Sequence, residues 1–74
     1  MDRQELRTRF QVETASEVHV YRGLRKVRVM AATGAERVYR GLDRSILNDL
    51  SHDLAGEGWH LVNGRGCHEA WRRS

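Results

Sequence analysis

The stretch Asp43-Arg44-Ser45-Ile46-Leu47-Asn48-Asp49-Leu50-Ser51-His52-Asp53-Leu54-Ala55-Gly56-Glu57-Gly58-Trp59-His60-Leu61-Val62 decides the fold. Leu47, Leu50 and Leu54 fall at i, i+3 and i+7, and Ile46 widens the stripe, so the spacing predicts an amphipathic helix from Asp43 to Ala55 with that stripe packed on a sheet. Asp43 or Ser45 can cap it by accepting a first-turn N–H. Asn48, Asp49, Ser51, His52 and Asp53 form the opposite, solvated face. Gly56 supplies a left-handed residue to end the helix, and Gly58 lets the chain reverse into a strand from Trp59 to Val62.

Beyond that strand, Asn63-Gly64-Arg65-Gly66 is a hairpin turn, and Cys67 to Arg73 returns antiparallel. Loop length sets which side chains face inward, because a slip of one residue flips a strand. A three-residue loop puts Trp59, Leu61, Cys67 and Trp71 on one face at the expense of Glu69, whereas two- or four-residue loops put Ala70 there. The first is preferred because it gives both tryptophans a common core.

Before the helix the period is two. Val18 and Val20 alternate with His19 and Tyr21, and Val27, Val29 and Ala31 alternate with Arg28 and Met30, the signature of half-buried strands. Thr33-Gly34-Ala35-Glu36 makes the turn of a hairpin from Lys26 to Arg40. Asp2 to Thr14 reads two ways. Asp2 with Glu5 three residues on, and Leu6 with Phe10 four apart, suggest a short helix. Phe10 and Val12 alternating with Arg9, Gln11 and Glu13 suggest a strand from Arg7 to Thr14, and the balance favours the strand. The sum is one domain over residues 1–74, of class α+β: a small antiparallel sheet of about four to six strands with one amphipathic helix packed on one face.

At 74 residues with 39% apolar content, the chain has room for one small core. Such a monomer would hold only a few kcal/mol in reserve, which makes a homodimer a serious expectation. The single cysteine, Cys67, excludes an internal disulfide and fits a reducing, cytoplasmic setting. The start, Met1-Asp2-Arg3-Gln4-Glu5-Leu6-Arg7, lacks the apolar core of a signal peptide, and no run is long and apolar enough to span a bilayer. The net charge is +3, with twelve of the thirteen basic residues arginine. Arginine suits phosphate and carboxylate recognition, and the same bias is what a GC-rich genome encodes.

Two pentapeptides are identical, Val20-Tyr21-Arg22-Gly23-Leu24 and Val38-Tyr39-Arg40-Gly41-Leu42. They read either as two equivalent Tyr-Arg pairs presented to a ligand, or as two strand ends running into glycine. Catalysis is not expected. Cys67 has His60 and Glu69 near it in sequence, but a chain this small cannot wall off a substrate pocket. Gly56-Glu57-Gly58 follows a helix, whereas a dinucleotide loop precedes one. His60, Cys67 and His68, with His52 from the helix, are candidates for a zinc site, but adjacent strand residues such as Cys67 and His68 point to opposite faces. No metal, cofactor or small-molecule substrate is expected.

The leucine-striped helix, Gly56-Glu57-Gly58-Trp59-His60-Leu61-Val62 and the closing Glu69-Ala70-Trp71-Arg72-Arg73 resemble a family of short bacterial domains of unknown function (domain of unknown function 4177) built around a Glu-Gly-Trp-Glu-Leu-Val segment, with His60 at the second glutamate. The resemblance covers roughly Val27 to Arg73, apart from the hairpin insertion near Glu36 to Gly41. It implies a small sheet with one helix on one face, and no reaction.

The leading expectation is a non-catalytic binding module acting through a protein partner or self-association, with Tyr21, Arg22, Arg28, Tyr39 and Arg40 as the binding surface, residue types common at interface hot spots. The alternative is a nucleic-acid-binding protein, with tyrosines interleaved among Arg22, Arg25, Lys26, Arg28, Arg37, Arg40 and Arg44. A third is an inhibitor from a phage or mobile element that blocks a host nucleic-acid machine.

Overall fold

The computed structural model describes residues 2–73. In chain order these form α1 (Arg3–Phe10), a 3-10 turn (Val12–Thr14), β1 (Ala15–Tyr21), β2 (Lys26–Ala31), β3 (Glu36–Tyr39), α2 (Arg44–Gly56), β4 (His60–Asn63) and β5 (His68–Arg72). The five strands make one sheet in the order β3-β2-β1-β5-β4, with every neighbouring pair antiparallel. Its class is α+β, as the alternation and the leucine stripe predict, with two helices rather than one.

The extra helix is the first correction. Asp2 caps α1 by accepting the Glu5 N–H at 2.8 Å, and the four-residue spacing of Leu6 and Phe10 buries both. Gln11 then adopts a left-handed conformation, φ 51°, and joins α1 to the 3-10 turn. Phe10 and Val12 therefore both point inward, as strand alternation requires, on a chain that is helical. An i, i+2 pair is common to both readings, and the cap decides between them.

All the helical packing lies on one face of the sheet. Val18 and Val20 of β1, Val27 and Val29 of β2 and Trp71 of β5 meet Leu47, Leu50 and Leu54 of α2 and Leu6 and Phe10 of α1 in one cluster. Phe10 lies edge-on to Tyr39, with ring centroids 5.0 Å apart. Asp53 is the second correction. The α2 pattern puts it on the solvated face, yet it is buried, because α1 covers that side and Arg7 donates to both its oxygens, Nε to Oδ2 at 3.1 Å and Nη2 to Oδ1 at 3.0 Å. Arg7 also bonds Glu57 and so clamps the two helices at one end.

The helix end is the third. Gly56 is the last helical residue, and the left-handed position falls two residues later, at Gly58 with φ 86°. The Trp59 N–H reaches back to the Leu54 carbonyl at 3.0 Å across this corner, and the Trp59 side chain is buried. Gly58→Ala is expected to destabilise the domain by about 1–2 kcal/mol, the cost of a side chain in that conformation. A urea midpoint equal to wild type would contradict this. Asp43 occupies the N-cap position of α2, but its side chain makes no capping bond.

In the last hairpin Leu61 pairs with Trp71, and a bulge then places Asn63 opposite Ala70. The loop is longer than the preferred three residues, since β4 ends at Asn63 and β5 begins at His68, yet Trp71 and Glu69 still share the helix side, while Ala70 is buried on the other face, opposite His19. Leu61 is half exposed and Cys67 exposed, so neither joins the tryptophan core. Leu61 is left out because β4 is an edge strand, and Cys67 because it lies in the loop before β5. Arg73 fastens the chain end by donating to the carbonyls of Val12 and Ala15 at 2.6 and 2.9 Å, with its guanidinium 4.7 Å from the centre of the Trp59 ring. No helix among the described residues is long and apolar enough to cross a membrane.

Candidate functional site: the uncovered sheet face

With both helices on one side, no element among the described residues covers the opposite face. Strand register assigns its side chains in rows. Lys26, Tyr21 and His68 form one, Val38, Arg28, His19, Ala70 and Asn63 the next, and Glu36, Met30, Glu17, Arg72 and His60 the third.

The first two rows are bound together by rings. Tyr21 and His68 stack in parallel with centroids 4.5 Å apart, and the Lys26 ammonium lies 4.8 Å from the tyrosine centroid. His19 meets His68 differently. His19 Nδ1 and His68 Nε2 are 3.1 Å apart while the ring centroids are 5.4 Å apart and the planes nearly parallel, so the two imidazoles touch rim to rim through nitrogen. The Asn63 amide faces His68 Nδ1 at 3.3 Å, and an amide N–H donating there leaves the His68 hydrogen on Nε2 to be donated to His19 Nδ1. His19 then carries its own hydrogen on Nε2, 3.5 Å from Glu17 Oε1. Burial and the nearby Arg28 charge hold His19 below the ordinary histidine range, against the opposing pull of Glu17. A neutral His19 suits this chain, because a proton on both facing nitrogens would set two donors against each other.

The charges on this face are largely matched within it. Arg28 Nε lies 3.2 Å from Glu36 Oε1, an ion pair that lacks hydrogen-bond alignment, and Arg72 Nη2 lies 3.6 Å from Glu17 Oε1. The result is a half-buried, mixed-charge surface with Met30, Val38 and Ala70 set into it.

Of the five residues the sequence singles out, Tyr21 and Arg28 lie on this face. Arg22 does not. Its guanidinium turns to the helix side and donates to Glu69 Oε2 at 2.6 Å, to Ser51 Oγ at 3.1 Å and to Asn48. Tyr39 also turns to the helix side, against Phe10, and Arg40 is exposed just beyond β3. The two Tyr-Arg pairs are therefore not equivalent. His19, His68 and Asn63 are the members that sequence reasoning missed. His19 had a signal, the strand parity it shares with Tyr21, whereas His68 and Asn63 join only through the β1–β5 pairing and the β4 bulge. Among the described residues no group of three or more histidine, cysteine, aspartate or glutamate side chains is disposed to hold a metal ion.

Fold and site together define a small α+β domain with one helix-covered and one uncovered sheet face. Comparison with protein-family models, curated proteins and solved structures returns no match.

Proposed function

We propose that this chain is a non-catalytic binding module that docks a protein partner on its uncovered sheet face. The observation that carries the reading is the composition of that face: stacked rings, a histidine pair, arginines and Met30 on a five-stranded platform that no other described element covers. Aromatic, methionine and arginine side chains are enriched at interface cores, and a preformed sheet loses little freedom on docking. A protein surface suits the centre of this face better than a nucleic acid, because Arg28 and Arg72 already have carboxylate neighbours on it. A second copy of the chain is one form such a partner can take.

Arg28→Glu tests this, since it reverses a charge at the centre of the face without entering the core. Light scattering and affinity capture from the source cells are run on wild type, Arg28→Glu and Arg9→Glu, the last altering α1 on the helix side. A dimer or captured protein that weakens at least tenfold with Arg28→Glu and persists with Arg9→Glu is the expected result. An assembly equally strong in Arg28→Glu would sink the assignment, as would a wild-type monomer that captures nothing.

A further inference from the structure

The basic residues divide into two groups. Arg3, Arg7, Arg22, Arg28, Arg72 and Arg73 are held by carboxylates or backbone carbonyls inside the fold. The other seven basic residues make no ion pair among the described residues. Topology brings five of these seven, Arg25, Lys26, Arg40, Arg44 and Arg65, to one end of the sheet, while Arg9 lies on α1 and Arg37 within β3. Arg25 and Lys26 sit at the β1–β2 turn, Arg40 follows β3, Arg44 opens α2, and Arg65 lies in the β4–β5 loop. The Leu42 N–H bonds the Arg25 carbonyl at 3.2 Å and the Arg22 N–H bonds the Cys67 carbonyl at 2.7 Å, which ties these loops together. Asp43 is the one carboxylate in these connections.

Two hollows open on the same end and share Gly23 and Cys67. The larger, about 380 Å³, is lined by Tyr21 and His68 at the stack, by Leu24, which is 67% exposed, and by Arg65. The smaller, about 230 Å³, is lined by Arg22, Arg44 and Leu47. An apolar, ring-walled hollow with free arginines on either side is matched by a chain that alternates flat bases with phosphates. We infer that this end of the domain binds single-stranded nucleic acid, with a base entering the larger hollow beside His68 and phosphates passing Arg65 and Arg44. A single strand is required because a base inside a duplex cannot leave its stack to enter. An acidic protein would satisfy the cations and leave the hollow without a flat occupant.

The larger hollow adjoins the uncovered face through Tyr21 and His68, but the test separates this inference from the protein-docking reading, since the varied residues Arg44 and Arg65 lie in α2 and the β4–β5 loop rather than on that face. The test is fluorescence anisotropy with a labelled oligothymidine 12-mer on wild type, the Arg44→Gln/Arg65→Gln double variant and Arg9→Gln, each checked for wild-type far-ultraviolet circular dichroism. The expected result is binding at 50 mM salt that weakens about 100-fold by 200 mM, as release of counterions by five cations implies. It should also weaken at least tenfold in the double variant, stay unchanged in Arg9→Gln, and weaken at least tenfold for an abasic 12-mer of equal charge. Absence of binding at 50 mM, or an equal loss in Arg9→Gln, overturns the proposal. Equal affinity for the abasic strand or for polyglutamate of the same charge also overturns it and points to an acidic protein.

Discussion

Phe10→Ala is expected to lower the stability of the domain by about 3–5 kcal/mol, the usual loss when a fully buried phenylalanine is truncated. Phe10 heads the fully buried side chains in volume, and it joins α1 to β3 through its edge contact with Tyr39. A domain of this size has little reserve, so the variant should be largely unfolded at room temperature. Urea titration followed by the fluorescence of Trp59 and Trp71 measures it. Phe10→Leu keeps most of the volume and should remain folded with a lowered midpoint. If Phe10→Ala kept the wild-type midpoint, α1 would not be part of the core.

Glu69→Ala is the second large effect, about 2 kcal/mol, because three donors lose their acceptor at once. Glu69 takes bonds from Arg22 Nε at 2.6 Å, Ser51 Oγ at 2.7 Å and Trp71 Nε1 at 3.0 Å, and so ties β1, α2 and β5 at one corner of the core. Burial pushes its carboxyl up, but the bonds from Ser51, Arg22 and Trp71 outweigh this and hold it below the ordinary glutamate range. The sign follows from linkage: the native state prefers the carboxylate more than the unfolded chain does. The stabilisation is complete above the ordinary glutamate range and is lost as pH falls through the lowered native value. Wild type should therefore lose stability in acid more steeply than Glu69→Gln, which has no charge to lose. Parallel curves of urea midpoint against pH for the two proteins would contradict the carboxylate's role.

What could be read in advance follows from where a local rule was sufficient. The α2 stripe, the alternation in β1 and β2 and the turn at Gly34 each rest on a period or a turn residue within a few positions, and each stands in the structure. Asp53 and Glu69 show the opposite case. Both are carboxylates that a local pattern marks as solvated or misplaced, and both are polar anchors of the fold because an arginine more than forty residues away in sequence comes to meet them. No spacing rule carries that information.

The candidate site divides in the same way. Tyr21, His19 and Arg28 share a face by strand parity alone, whereas His68 and Asn63 join them only after β5 has settled beside β1. The repeated pentapeptide is the sharpest instance. In the first copy Val20 is buried, Tyr21 faces the open side and Leu24 is 67% exposed. In the second Val38 is 43% exposed, Tyr39 packs on Phe10 and Leu42 is buried. Sequence by itself determined that both copies end a strand and that the chain forms a leucine-striped helix on an antiparallel sheet, because periodicity and turn residues act locally. Tertiary structure alone decided which side of each strand meets the helices, since identical residues take opposite sides according to the register and the neighbours their strands find.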